Sequence, residues 1–388
     1  MECNTEEGFI FDIGSLYEQF HQLTDSRDAR GLRYPLEIVL TLAVMGKLCG
    51  EDRPIGIAEW AEHRAAMLVE ALGLERSSMP HHSTYRRIFE DVVDASELDQ
   101  MVGQYLAGKK NFGQQVVLAI DGKFLKGTVA DDKKGLHLLA AYLPCEGIVL
   151  MQMTVENHEN EIPVAPKLLK CLDLRDKVII GDAMHTQREV SLQIVVSGGD
   201  YIWFAKGNQS NMEDDIRLWF GPDAEPIPGM SYPPKDFESA TTVNKGHGRI
   251  EKRAITVSSQ LKDFFDWPYL EQVFKLERRF IRTKTGEVQE HIVYGFTSLS
   301  REAVSPKKLL NMVRSYWRIE NSLHYRRDVS LLEDRTRMTK GHAGQVMASI
   351  NNLVLGIFAK KYKFQYLPSA RRYFDAHPLE ALALITRL

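Results

Sequence analysis

Little in this sequence points to disulfides, a zinc ribbon or a membrane. Its 388 residues include 4 cysteines, at Cys3, Cys49, Cys145 and Cys171, none paired at CxxC or CxxH spacing, and a chain of this length has no need of covalent staples. Reduced, buried thiols are the expectation. Long apolar runs are also missing: no stretch reaches the roughly eighteen uncharged residues of a membrane helix. The N-terminal stretch MECNTEEGFIFD carries acids where a secretory leader carries lysines and an apolar core, so a soluble, untargeted, cytoplasmic protein is expected. There is no internal repeat or low-complexity tract. At 44% hydrophobic and 26% charged residues, the composition excludes a disordered chain and supports two or three packed domains.

A strong excess of one charge is missing too, the net charge being -3. That value averages unlike parts. Residues 1–110 carry 11 Lys+Arg against 19 Asp+Glu, residues 111–300 carry 22 against 26, and residues 301–388 carry 16 against 7. The C-terminal segment is thus basic enough to hold a polyanion, because salt confines each charge's field to about 10 Å. Plain solubilisation of helices accounts for the same excess equally well.

Apolar residues recur at helical spacing from Tyr34 to Leu74, among them Leu36, Val39, Leu40, Ala43, Val44 and Leu48, which predicts a small helical domain over 1–110. Within it, Ser83 is placed to cap a helix that exposes Arg86 and Arg87. A DNA-reading helix of a helix-turn-helix and an ordinary surface helix both fit. From Gln114 the pattern becomes extended. QQVVLAID, HLLAAYLP and GIVLMQMTVEN predict three strands in hairpin order; EIPVAPKLLKCL and REVSLQIVVSGG predict two helices, and DKVIIGDA and DYIWFAKG two further strands. Three antiparallel strands followed by helix, strand, helix and strand is the order of an RNase H-like α/β fold, here starting over 111–208. Short β-branched runs among Pro-rich and Gly-rich stretches predict a strand-rich insertion over 209–298. The helical period returns over 299–388.

Three acids stand out. Asp121 closes the apolar run VVLAI and Asp182 closes VIIG, and an acid at the carboxyl end of a buried strand emerges where open α/β sheets bind ligands. Capping a turn is the commoner use of such an aspartate. Glu320, in SYWRIENSLHY, lies three residues after Trp317 and seven after Val313, which places it on the apolar helix face that also holds Leu309. A buried ion pair with Arg314 or Arg318 is one outcome of that placement. The other is chemical: two strand-end acids and one helix acid, gathered by folding, make an oxygen-donor set for two Mg²⁺ or Mn²⁺ ions on a phosphodiester.

The segments AIDGKFLKGT, ENHENEIPV, IIGDAMHTQREVSLQIVVSGGDYIWFAKGNQ, GHGRIEKR and YWRIENSLHYRRDVSLLED resemble, in order, the motifs of the H-repeat-associated insertion-sequence transposases, a branch of the DDE transposases. The resemblance runs from about Ile13 to Phe358. It implies an RNase H-like catalytic domain with an insertion before the last acid, a helical N-terminal region that binds element ends, and Mg²⁺-dependent cleavage and strand transfer. It also implies DNA partners, both terminal repeats and target, a homodimer assembled on them, and a place in the cytoplasm with the nucleoid. Carried over by position, Asp121, Asp182 and Glu320 match the catalytic, metal-binding acids. The wider insertion-sequence signature of Tyr, Arg, Glu and Lys is not kept: Val313, Tyr316 and Arg327 stand at the spacings of its Tyr, Arg and Lys. Arg318 and His324 fit the narrower branch pattern, and Arg327 still supplies a cation.

The remaining candidates each have two readings. Lys123 and Lys126 suit a phosphate contact or a solvated turn, and Lys206 and Asn208 a DNA contact or a loop role. His247 and Arg249 suit a grip on strand ends or an ordinary hairpin. His185 suits turn capping or support behind a metal better than ligation, since Mg²⁺ prefers oxygen. Trp203 and Trp267 are read as core before base stacking, and Glu333 and Asp334 are rivals to Glu320. A domesticated, non-cutting DNA-binding regulator and a metal-dependent nuclease without strand transfer are the alternative functions.

Overall fold

The computed structural model describes residues 15–28, 30, 32–108, 113–130, 135–156, 160–222, 234–246, 248–361 and 366–386. In chain order the helices α1 (Ser15–His21), α2 (Leu36–Leu48), α3 (Pro54–His63), α4 (Ala65–Leu72), α5 (His82–Arg87) and α6 (Ala95–Ala107) come first. Strands β1 (Val116–Phe124), β2 (His137–Leu143) and β3 (Ile148–Val155) follow, then α7 (Val164–Lys170), β4 (Lys177–Gly181), α8 (Arg188–Val196), β5 (Asp200–Ala205) and α9 (Ser210–Trp219). Four longer strands, β6 (Glu238–Gly246), β7 (Arg249–Ser258), β8 (Gln272–Arg282) and β9 (Val288–Thr297), precede α10 (Pro306–Tyr316), α11 (Ala343–Lys361), α12 (Leu367–Ala376) and α13 (Pro378–Thr386). This is the RNase H-like α/β order expected from the sequence.

The chain divides into two compact units, one of residues 112–121 and 161–318 and the other of residues 2–111, 122–160 and 319–388. Strand β1 passes from the first into the second. In the first unit, β1 runs parallel to β4 from Val116↔Lys177 to Ile120↔Gly181, and β4 runs parallel to β5 from Val178↔Asp200 to Ile180↔Ile202. Parallel strands are covered on both faces, so they are apolar throughout rather than alternating, as VVLAI, VIIG and YIWFA are. The insertion extends this same sheet: β9 pairs antiparallel with β5 through Ile202↔Thr297 and with β8 through Gln272↔Thr297, and β7 and β6 add on beyond β8. Trp203 and Trp267 are buried, and both indole N–H groups donate to Ser191 Oγ, at 2.9 and 3.2 Å. They belong to the core, the bland reading of each.

In the second unit, β2 and β3 form an antiparallel hairpin with a bulge at Ala141 and Tyr142. Helix α2 is buried along its whole length, Lys47 included. Helix α6 approaches β3 so closely that a Cβ on Gly103 would lie 1.8 Å from the Leu150 carbonyl oxygen, so only glycine serves there. A chain of buried polar groups runs through this unit. Asp99 accepts from Gln152, Gln345 and Ser349; Asn352 donates to Gln152 at 2.8 Å; Arg327 donates to Asn352 at 3.4 Å and to both Glu333 oxygens at 2.8 and 2.9 Å. Burying such side chains is tolerable because each makes at least one hydrogen bond, although Arg327 Nη2 makes none. Burial nevertheless pushes the Asp99 carboxyl up to about 7 against those hydrogen bonds.

Two expectations, on the thiols and on the cap of α5, are corrected. Of the thiols described, Cys49 is buried but Cys145 and Cys171 are exposed. The cap of α5 is the His81 side chain, which accepts from the Ser83 amide, and not Ser83 itself. Among the described residues, no helix is long and apolar enough to cross a membrane.

Candidate active site

Charged residues follow the parallel-paired stretches of three neighbouring strands, β1, β4 and β5. Residues Ile120 and Gly181 are the last paired between β1 and β4, so Asp121 and Asp182 stand side by side, one residue beyond. Both are half-buried. Asp121 does not close its strand as expected, for β1 continues through Phe124; what ends at Asp121 is the pairing with β4. Asp182 does end its strand, and its side chain accepts from the Ala183 amide at 2.7 Å to cap the turn Ala183–His185. Lys206, which leaves β5, places its ammonium 2.9 Å from the same carboxylate. Burial alone would raise the Asp182 pKa, but the Lys206 ammonium and the Ala183 amide outweigh it and hold the carboxyl below its ordinary value. Asn208 donates to the Ala183 carbonyl and so fixes the turn.

His185 points inward. Its ring is buried and its Nε2 lies 2.9 Å from Glu161, itself buried, in keeping with support for the turn rather than exposure to a ligand. Glu161 lies in the segment ENHENEIPV, and nothing in the sequence spacing pairs it with a histidine 24 residues on.

In the second unit, Glu320 is not on a buried face. Leu309 and Val313 are buried, but α10 stops at Tyr316, Trp317 is 38% exposed, and Ile319–His324 wind as a π-helix. The wider π turn breaks the 3.6-residue phase that the sequence argument carried across, so Glu320 emerges exposed, its carboxylate 3.6 Å from His324 Nδ1. Segments of π-helix are rare and concentrate at functional sites.

Lys123 is buried and held by both oxygens of Asp328 at 2.6 and 2.7 Å. Lys126 is 78% exposed, with its amide on Asp334 at 3.1 Å. Arg327 is fully buried against Glu333 and therefore cannot offer its charge to a surface ligand, which corrects the role read for it. The same pair removes Glu333 from the rival acids. Arg86 and Arg87 are exposed.

On the insertion, Arg249 is exposed with its guanidinium 5.2 Å from the Phe280 ring centre; Arg278 sits 5.1 Å from the same ring and 4.8 Å from that of Trp317. His247 lies outside the described residues. Arg318 is exposed, in the turn after α10.

Comparison with known proteins agrees with this layout. Residues 17–106 match the family described as DDE_Tnp_1-associated, and residues 112–357 match the family Transposase DDE domain. The chain is 26% identical over 362 residues to YbfL of Escherichia coli (strain K12), covering 91% of this chain and 93% of that one. It is 25% identical over 362 residues to the H repeat-associated protein YhhI of the same organism, itself named as a transposase. A protein from the dhlA 3′ region of Xanthobacter autotrophicus is 31% identical over 276 residues, which is 69% of this chain and 89% of that one. With the strand order, the paired aspartates and a family match spanning most of its length, the chain belongs to the transposase DDE domain family.

Proposed function

We propose that this chain is a DNA transposase that binds element ends and carries out divalent-metal-dependent strand cleavage followed by strand transfer, with Asp121, Asp182 and Glu320 as its acids. The observation that carries the reading is the register of β1 and β4, which sets Asp121 beside Asp182 where the parallel pairing of the two strands ends. The donors are carboxylate oxygens, which suit Mg²⁺ or Mn²⁺. The place already attracts a cation: Asp182 stays ionised below the usual carboxylate range and draws the Lys206 ammonium. Two ions held there by Asp121, Asp182 and Glu320 would lower the pKa of the attacking water or 3′-hydroxyl and neutralise phosphate charge.

The protein's own work is positioning and charge compensation. Lys206, released from Asp182, is free to meet a phosphate oxygen, while Asn208 keeps the Asp182 turn from shifting as that contact changes. Lys126, Arg249, Arg318, Arg86 and Arg87 are exposed cations that would meet the DNA backbone. The region 1–110 is assigned to end binding, 111–208 and 299–388 to catalysis, and 209–298 to the insertion, in a homodimer on DNA beside the nucleoid.

The test uses purified protein and supercoiled DNA bearing the repeats that flank the gene. Mg²⁺-dependent nicking and joined products are expected from the natural chain, while Asp121→Ala, Asp182→Ala and Glu320→Ala each abolish nicking and keep DNA affinity. Undiminished cleavage by any of the three variants would overturn the assignment.

A further inference from the structure

Well away in sequence from the strand-end acids, the second unit contains an open cleft of about 670 Å³ between the start of α3, α5 and the stretch RTRMTK. Ligand pockets of that size are ordinarily lined by apolar side chains. This one is lined by five cations, Arg53, Arg86, Arg335, Arg337 and Lys340, against two acids, Glu90 and Asp334. Asp334 is already engaged by the Lys126 amide and ammonium. All five cations are exposed, and among the described residues no carboxylate lies within ion-pair distance of Arg86, Arg335, Arg337 or Lys340. The N-terminus of α3 opens on the same cleft, and its N-cap, Arg53, offers the first amides no side-chain acceptor, which adds the positive end of a helix to the charge.

The backbone presents these side chains at a cost. Arg337 has a φ of 45° and Leu332 one of 49°, left-handed values that cost a residue with a Cβ about 1 kcal/mol or more. The stretch is pinned at both ends. A Cβ on Gly127 would lie 2.9 Å from the Asp334 carbonyl oxygen, and one on Gly341 would lie 2.1 Å from that of Glu90, which also accepts the His342 amide at 3.1 Å. Between the pins, Arg53 donates to the Arg335 carbonyl at 3.0 Å. The loop is thus clamped with its cations outward, and a cleft with more cations than acids is complementary to closely spaced phosphates.

We infer that this cleft is a sequence-independent grip on the phosphodiester backbone of duplex DNA, built from residues other than the three proposed catalytic acids. The inference rests on the transposase reading for the choice of DNA as the polyanion. Each lost phosphate contact lowers the slope of log affinity against log salt by about 0.9, and it weakens all sequences alike.

The experiment measures binding of the full chain to two duplexes, one bearing the flanking repeats and one of arbitrary sequence, across a salt series. The variant Arg86→Gln, Arg335→Gln, Arg337→Gln, Lys340→Gln is expected to lose affinity for both duplexes by the same factor, at least tenfold, with a shallower salt slope. Circular dichroism confirms its fold, and if the fourfold variant does not fold, Arg335→Gln and Lys340→Gln made singly each lower the slope by about 0.9. If the natural chain binds neither duplex, the transposase reading falls and this site with it. If the natural chain binds and the variants keep its affinity and slope, the cleft is no DNA grip and the transposase reading stands.

Discussion

Two ion pairs of almost equal length sit in opposite surroundings. Lys206 and Asp182 meet at 2.9 Å with side chains 53% and 51% exposed, whereas Arg327 and Glu333 meet at 2.8 Å with 1% and 4%. Water screens the first, so its cation is exchangeable and the carboxylate can accept another. The second is sealed, and either partner left alone would be an uncompensated charge in the interior. Both motifs look equally chemical in sequence. Exposure is what separates an acid available to a ligand from an acid that holds the protein together.

The sharpest way to break that contrast is to delete Glu333. Glu333→Ala should cost about 3–5 kcal/mol of stability, or prevent folding, by stranding Arg327. Asp182→Ala removes a screened pair and one turn cap and should cost only about 1 kcal/mol. Chemical denaturation of both variants reads the difference, and equal destabilisation would erase the distinction.

The next effect extends the comparison to pH through Asp99. Its folded-state pKa of about 7 lies above the unfolded value, so its share of stability is complete below about pH 4 and declines as pH rises to about 7. The expected decline is about 1.4 kcal/mol per pH unit across that window. Asp99→Asn should flatten the profile when unfolding is followed from pH 5 to 8. A profile with the same slope in the variant would mean that some other group titrates.

The smallest effect is at the exposed pair. Lys206→Met should change stability by less than about 1 kcal/mol while moving the Asp182 titration up towards the ordinary carboxylate value. A carboxyl-carbon NMR titration of metal-free protein detects that shift, and an unmoved Asp182 would show that the Ala183 amide alone holds the carboxyl down.

Most of the parallel part of the sheet was readable because parallel strands announce themselves: VVLAI, VIIG and YIWFA are apolar without alternation, and the ends of those runs locate Asp121, Asp182 and Lys206. What failed had specific causes. Strand β8, QVFKLERRFIR, carries five charged residues, on both of its faces, and was not read as a strand because none of those side chains is buried. Glu320 was placed by extending an α-helical phase into a π-helix, whose onset has no sequence signal that we can identify. The fate of Arg327 turned on a partner six residues away that folding, not helix geometry, brings to it.

The double pairing of Thr297, to Ile202 on one side and Gln272 on the other, gives the insertion an unexpected mechanical character. An appendage tethered by two loops swivels. One stitched edge to edge into the parent sheet carries a pull along its hairpins as shear over many backbone hydrogen bonds at once, and delivers that tension to the very strand from which Lys206 departs.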